Sequence, residues 1–155
     1  MTKRHEFFLW LALLILAALL RFAPLGAGLP YIDYIDEGHV LHPVIELLHA
    51  RDFDSTRFTY PPLTSYLTIA AAKVYSPIYR LVHHRSLKAD LPGEAVHTEL
   101  GDNYDLITPP EVIVLARLIV AGLSAGIVIL AGAIARMLAG TRAGFFAMLL
   151  TAVCP

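Results

Sequence analysis

The chain has 155 residues, of which 57% are hydrophobic and 16% charged, and its mean hydropathy is +0.62. Globular domains carry about 25% charged residues, so this composition indicates an integral membrane protein. The formal net charge of −1 argues against a nucleic-acid partner, and the single cysteine, Cys154, excludes an internal disulfide.

The first apolar segment predicts a membrane span over residues 7–29. It is wholly apolar from Phe7 up to Arg21, which is tolerated near its end. Lys3 and Arg4 precede it and predict a cytoplasmic N-terminus, because basic residues are enriched on the cytoplasmic side. A cleaved signal peptide is the alternative, since small residues follow the apolar run. The spans that follow favour a membrane anchor.

An acidic stretch, Tyr-Ile-Asp-Glu-Gly-His with Asp36 and Glu37, follows this span and leads into an amphipathic helix predicted over residues 37–50. Pro43 should kink that helix or mark its true start. The side chains of Asp36 and Glu37 point in different directions because the residues are adjacent. One carboxylate can therefore face a reacting centre while the other stabilises the local structure. Alternatively, Asp36 only caps the helix.

A second helix is predicted over residues 62–82, directly after Tyr60-Pro61-Pro62. It is long enough to cross a membrane, but Lys73 would then lie near mid-bilayer at a cost of about 2.5–3.5 kcal/mol. Ser76-Pro77 should also interrupt it. A helix along the membrane surface avoids the cost, because lysine and tyrosine reach the headgroups. We therefore expect residues 30–110 to form one external loop containing two juxtamembrane helices.

The histidines raise the question of a metal site. Asp36, His39 and His42 follow one another at intervals of three residues, near one helical face. This is not the i, i+4 pair of zinc sites, so histidines in contact with headgroups and water are the favoured interpretation. His83 and His84 are expected to be solvated residues of a polar loop.

Residues 111–136 form the second predicted span, which carries no charge over the eighteen residues from Leu118 to Ala135. Thr108-Pro109-Pro110-Glu111 fits a capping box at its entry. Gly122 and Gly126 form a G-x-x-x-G pattern that suits close packing against another helix, as do further small residues such as Gly132.

Arg117 lies about two turns into this span, on its external side. An ionisable residue at such a position indicates function, and a guanidinium suits bidentate binding of a phosphate. A snorkelling or ion-paired arginine is the alternative interpretation.

The short stretch from Arg136 to Arg142 contains two arginines and no acid, which predicts a cytoplasmic loop. A third apolar segment, residues 143–155, is only 13 residues long, whereas a span needs about 20. We therefore expect the chain to be the N-terminal part of a larger, multi-pass protein of the cell's inner membrane.

Three stretches together resemble the N-terminal module of the GT-C fold glycosyltransferases: the acidic stretch beyond the first span, Phe-Thr-Tyr-Pro-Pro-Leu before the second helix, and the span that starts at Pro-Pro-Glu. The likeness is strongest to glycosyltransferase family 39, the polyprenyl- or dolichyl-phosphate-sugar mannosyltransferases, and to bacterial relatives such as the lipid A aminoarabinose transferase. The resemblance implies an all-α, multi-span membrane fold with juxtamembrane helices in its first external loop.

The resemblance also implies roles for particular residues. Asp36 would act in catalysis as the base that deprotonates the acceptor, although some GT-C enzymes use the corresponding acid to hold a divalent metal, and Glu37 matches the second acid. Tyr60-Pro61-Pro62 matches an X-Pro-Pro-Leu motif whose first residue is often His or Lys, a charge that Tyr60 cannot supply. The candidate catalytic residues are Asp36 and Glu37, and the candidate substrate-binding residues are His39, Tyr60, Pro61 and Arg117.

The sequence thus predicts part of a membrane glycosyltransferase that moves a sugar from a polyprenyl-phosphate carrier to a protein, lipid or glycan acceptor on the external face. No cofactor is expected apart from the divalent metal that some relatives use. A non-enzymatic membrane subunit, in which Asp36 and Glu37 only cap a helix, is the alternative. A transporter fragment is a third interpretation, disfavoured because the acids lie outside the apolar spans.

Overall fold

The computed structural model describes residues 3–29, 35–49, 63–91, 96–97, 105–106 and 109–154. The elements in chain order are α1 (Lys3–Phe22), a short 3-10 helix (Ala23–Gly26), α2 (Ile35–His49), α3 (Leu63–His83), α4 (Leu87–Asp90), β1 (Val96–His97), β2 (Asp105–Leu106) and α5 (Glu111–Val153). The strands form one small antiparallel pair, and helices account for nearly all the rest of the described chain. The helical class expected from the sequence is confirmed.

Two helical segments, Arg4–Gly26 and Glu111–Val153, are long and apolar enough to cross a membrane. Their large side chains are mostly exposed, as at Phe7, Leu19 and Ile127, whose exposed fractions are 63%, 62% and 61%. A water-soluble protein rarely exposes so continuous an apolar surface, so the two helices indicate membrane association.

The two helices predicted between the spans are both present, with ends that differ by one or two residues from those expected, and their position at the membrane surface stays a prediction. The predicted interruption at Ser76-Pro77 is wrong, because α3 continues through Pro77. Helix α2 starts at Ile35 and continues through Pro43, so Pro43 does not mark its start, and a kink at Pro43 stays a prediction. Pro43 is itself buried, so packing of α2 holds the helix together where one main-chain hydrogen bond is missing. Helix α1 ends at Phe22, because Pro24 disfavours the α conformation at the residue before it, and the 3-10 helix continues the apolar segment to Gly26.

The chain forms two compact units, and we treat each separately. The terminal unit comprises Met1–Leu25 and Val120–Pro155, and the central unit comprises Gly26–Ile119. In the terminal unit, α5 is broken at Gly140, where φ is 86° and ψ is 179°. Only glycine adopts this backbone conformation readily, so the predicted loop between Arg136 and Arg142 contracts to a turn at one residue.

The two arms of α5 fold back on each other around Gly140. A Cβ atom on Gly132 would collide with the Met148 side chain, and one on Gly144 would lie 3.0 Å from the Gly132 main-chain oxygen. The predicted close packing at Gly132 is confirmed. No described atom lies within 4 Å of a Cβ built at Gly122 or Gly126, so packing of another helix on those two glycines stays a prediction.

Helix α1 packs against both arms of α5. The Trp10 ring lies 5.2 Å from the Phe145 ring and 5.6 Å from the guanidinium of Arg136. Further along α1, Ala17 is buried in a small core with Val128, Met148 and Ala152. The start of α1 and the turn at Gly140 consequently lie at the same end of the terminal unit.

The central unit has the larger core, built mainly between α2 and α3. Its buried apolar residues are Leu41, Val44, Ile45, Leu47, Ile69, Ala72, Tyr79, Leu87, Leu91, Val112, Ile113 and Ala116. Leu87 and Leu91 come from a stretch predicted to be a solvated loop. That stretch instead forms α4, whose N-cap Ser86 accepts a hydrogen bond from the Ala89 N–H at 3.2 Å.

Candidate functional site

The predicted catalytic residues lie at the start of α2. Asp36 and Glu37 are its second and third residues and His39 is its fifth, although the side chains of all three lie outside the described part of the structure. A carboxylate in the first helical turn is stabilised by the positive end of the helix dipole. The acidic stretch therefore belongs to the first turn of α2 rather than to a turn that precedes it.

Helices α2 and α3 run in the same direction. Near their starts, the Ser65 hydroxyl donates a hydrogen bond of 3.2 Å to the Val40 main-chain oxygen. Beyond their ends, the Lys88 ammonium donates a hydrogen bond of 3.0 Å to the His49 main-chain oxygen. The N-termini of the two helices consequently lie at one end of the central unit.

This parallel arrangement relates two motifs that are far apart in the sequence. Asp36 and Glu37 are in the first turn of α2, while Tyr60 and Pro61 precede Leu63, where α3 begins. Tyr60 and Pro61 themselves lie outside the described residues, so their proximity to the acids stays a prediction. The structure shows only that the helices adjoining the two motifs begin at the same end of the unit.

Arg117 binds the main chain. Its Nη1 atom donates a hydrogen bond of 2.5 Å to the Ala27 oxygen, which belongs to the short stretch that follows the 3-10 helix. This contact is within the central unit, and it ties the second turn of α5 to the chain that leaves the first apolar segment. The described contact is structural in character, and phosphate binding by Arg117 stays a prediction.

The other end of α3 carries a polar cluster that the sequence did not predict; we define it as the α3 C-terminal cluster of Tyr79, His83, Asp90 and Glu111. The Tyr79 hydroxyl donates to Asp90 Oδ2 at 2.8 Å, and the His83 ring stacks on the Tyr79 ring at 4.3 Å. His83 Nε2 also lies 3.7 Å from Glu111 Oε1. The prediction that His83 lies in a loop is therefore wrong, because it ends α3, whereas its side chain is exposed as predicted.

Burial and the hydrogen bond to Asp90 raise the pKa of Tyr79 to about 12. The neutral phenol is thus strongly favoured, and Tyr79 acts in this cluster as a hydrogen-bond donor. Glu111 has a second oxygen, Oε2, that is buried and has no hydrogen-bond partner among the described residues. Thr108, the predicted partner of Glu111 in a capping box, lies outside those residues.

Arg21 is the residue whose importance sequence reasoning missed. Its Nε donates to the Ser124 hydroxyl at 2.6 Å, and its Nη1 donates to the Ala152 main-chain oxygen at 3.0 Å. The guanidinium thus joins α1 to both arms of α5 within the terminal unit. A signal was present, because an arginine in an apolar helix is costly unless it finds partners.

No group of three or more histidine, cysteine, aspartate or glutamate side chains suited to a metal ion occurs among residues with described positions. The side chains of Asp36 and His39 lie outside the described part of the structure, so a metal ion at the start of α2 stays a prediction from the sequence.

No family model matches the chain, and no curated protein or solved structure matches it either.

Proposed function

We propose that the chain is the N-terminal module of a membrane glycosyltransferase that uses a polyprenyl-phosphate-linked sugar as its donor. In this proposal Asp36 is the general base and Glu37 supports it. His39, Tyr60, Pro61 and Arg117 line the donor and acceptor site. The acceptor is a hydroxyl or amine of a protein, lipid or glycan on the extracytoplasmic face of the membrane.

The observation that carries the proposal is the parallel packing of α2 and α3. A transferase of this kind needs a carboxylate and its substrate-binding residues at one place beside the membrane. Parallel helices start at the same end, so the acidic turn of α2 and the Pro-Pro motif before α3 are anchored to neighbouring helix starts. If α2 and α3 were antiparallel, their starts would lie at opposite ends of the pair, about 30 Å apart for a helix as long as α3.

The chemistry is a single displacement at the anomeric carbon. The carboxylate of Asp36 takes the proton of the acceptor hydroxyl or amine as its oxygen or nitrogen attacks that carbon. The bond between the anomeric carbon and the phosphate oxygen breaks, and polyprenyl phosphate leaves with the electron pair. Attack from the face opposite the phosphate inverts the configuration, and proton removal of this kind accelerates a reaction by about 10²–10⁴-fold.

The leaving phosphate develops negative charge, which a guanidinium stabilises well. Arg117 is the arginine proposed for this role.

The proposed membrane topology puts the N-terminus in the cytoplasm and the central unit outside. Lys3 and Arg4 start α1, and Arg136 and Arg142 flank the turn at Gly140. These four basic residues belong to the same end of the terminal unit, as the contacts of Trp10 with Arg136 and Phe145 show. The positive-inside rule assigns such an end to the cytoplasm.

The test uses membranes that contain the intact protein and supplies them with radiolabelled polyprenyl-phosphate mannose or polyprenyl-phosphate aminoarabinose. We expect transfer of label to protein, lipid or glycan, with loss of about 10²–10⁴-fold in rate for Asp36→Asn. Glu46→Gln is the matched control, because Glu46 is an exposed acid on the same helix. Near-normal transfer by Asp36→Asn would remove this residue from the mechanism.

The second candidate is a non-enzymatic membrane subunit, which the contact of Arg117 with a main-chain oxygen favours. In that case the acids stabilise the start of α2 and Arg117 only fastens α5. Absence of transfer from both donors, with normal insertion of the protein, would support the subunit and contradict the transferase.

A further inference from the structure

The terminal unit has an uneven distribution of charge. It contains five lysine and arginine residues but a single acid, Glu6. Four of the five basic residues belong to the end where α1 starts and α5 turns back, and we call them the basic end: Lys3, Arg4, Arg136 and Arg142. The fold thus brings basic residues from three places in the sequence to one end of a mainly apolar unit.

An aromatic ring holds one of these arginines in place. The guanidinium of Arg136 lies 5.6 Å from the centre of the Trp10 ring, which is the distance of a cation–π contact. Cβ atoms on Gly132 and Gly144 would lie 3.0 Å and 3.1 Å from atoms of this ring, so the two glycines make room for it against both arms of α5. The ring in turn positions the exposed Arg136 side chain.

Large apolar side chains are exposed beside the basic end. Phe7 and Phe8 lie on α1 and Phe146 lies on the second arm of α5, and all three are more than half exposed. Met137 and Leu138, next to the turn, have exposed fractions of 85% and 82%. A ligand that matches this surface must combine a negative charge with an apolar body. An inorganic anion lacks the apolar body, and a zwitterionic lipid lacks the net charge.

We infer that the basic end is a selective binding site for an anionic phospholipid. Arg4, Arg136 and Arg142 donate to the oxygens of its phosphodiester, because a guanidinium binds phosphate through two parallel hydrogen bonds. The acyl chains lie against the exposed apolar side chains of α1 and α5. Helices long and apolar enough to cross a membrane bring their ends to its surface, where clusters of basic residues attract anionic lipids. The inference holds for either orientation of the chain and does not depend on sugar transfer.

The test uses the fluorescence of Trp10, the only tryptophan of the chain. The full chain is placed in phosphatidylcholine vesicles that contain, at equal mole fraction, either phosphatidylglycerol or phosphatidylcholine with brominated acyl chains, since bromine quenches a nearby tryptophan. We expect brominated phosphatidylglycerol to quench several-fold more strongly. A basic residue near anionic lipid contributes about five-fold to binding, so Arg136→Gln should lower this preference about five-fold.

Two further variants complete the experiment. Arg142→Gln should also lower the preference, and it keeps the test decisive if Arg136→Gln fails to fold, because Arg142 makes no contact with Trp10 among the described residues. Arg85→Gln is the matched control, since Arg85 is an exposed arginine of the central unit, and it should keep the wild-type preference. The two lipids are compared within each variant, so a change in the brightness of Trp10 cancels.

Three results would overturn the inference. Equal quenching by the two brominated lipids would mean that the basic end selects no lipid. An unchanged preference in both Arg136→Gln and Arg142→Gln would mean that the selectivity arises elsewhere in the chain. Recovery of fluorescence on addition of inorganic phosphate would mean that the site takes a free phosphate and not a lipid.

Discussion

The Nη2 atom of Arg21 donates a hydrogen bond of 2.7 Å to the main-chain oxygen of Thr151, 130 residues further along the chain. Together with its contacts to Ser124 and Ala152, this guanidinium joins the three helical segments of the terminal unit. Each of the three segments is mainly apolar, and apolar surfaces alone do little to determine how helices are arranged. The polar contacts of Arg21 therefore give the unit a defined arrangement.

We expect Arg21→Met to destabilise the terminal unit by about 1.5–3 kcal/mol, the usual contribution of hydrogen bonds to a charged group. Arg21→Lys should be intermediate, because an ammonium keeps the charge but lacks the planar fork. Thermal unfolding in detergent measures the effect, with Arg142→Met as the control at an exposed position. Equal stability of Arg21→Met and wild type would show that the contacts contribute nothing net.

Gly144→Ala tests the close approach of the two arms of α5. A methyl group there would lie 2.9 Å from Arg136 Cβ and 3.0 Å from the Gly132 main-chain oxygen, so the arms must separate. The expected cost is about 1–3 kcal/mol, as for other overpacked sites. Gly126→Ala, which meets nothing within 4 Å, should leave the unfolding temperature unchanged or raise it. Similar losses in both variants would contradict this packing.

Gly140→Ala tests the turn itself. The positive φ of 86° combined with ψ of 179° is a conformation that an alanine side chain strongly disfavours. We expect a loss of about 1–3 kcal/mol in stability. The loss should have a backbone origin, because nothing lies within 4 Å of a Cβ at this position. A variant as stable as wild type would mean that the turn is made in another way.

The pKa of Tyr79 predicts an alkaline limit to the stability of the central unit. Because folding raises this pKa to about 12 from its usual 10, the contribution of the phenol is complete below pH 10 and is lost as the pH rises towards 12. Tyr79→Phe should lack this component of the decline between pH 10 and pH 12 and should lose about 0.5–1.5 kcal/mol at neutral pH with the Asp90 hydrogen bond.

The pH dependence is measured as the unfolding midpoint across that range by circular dichroism. All other ionisable groups are the same in wild type and in Tyr79→Phe, so the comparison between the two isolates the tyrosine. Tyr66→Phe is the control, because Tyr66 is an exposed tyrosine on the same helix and its loss should leave the alkaline decline in place. An alkaline decline in Tyr79→Phe equal to that of wild type would assign it to other groups.

Hydrophobic periodicity predicted α2 well, since its apolar face is visible in the sequence and Leu41, Val44 and Ile45 on that face are buried. The face that α3 buries was not visible in the same way, because it includes Ser65 and Thr68 while Val74 and Leu81 are exposed. Proline misled the prediction of an interruption at Ser76-Pro77 and of a helix start at Pro43, because both helices continue through their proline. Helix α4 was missed because its few apolar residues are too short a signal to show a period.

Contacts between distant residues were the least predictable part. The choice of Gly132 and Gly144 over Gly122 and Gly126 depends on how the arms of α5 meet, which no local pattern encodes. The same holds for Arg117, whose contact with Ala27 joins residues 90 positions apart. At the candidate site, sequence reasoning could place the acids at a helix start but could not foresee that α3 starts beside it.

The proposed chemistry depends on one prediction from the sequence, that residues 30–110 form an external loop and that the stretch from Arg136 to Arg142 is cytoplasmic. It is tested most directly by labelling Ala89→Cys and Met137→Cys, each in a Cys154→Ala background, with a membrane-impermeant maleimide in sealed, right-side-out vesicles. Both positions are exposed. We predict that Ala89→Cys reacts in intact vesicles and that Met137→Cys reacts only after they are opened. Reaction of both positions from the same side would contradict the account.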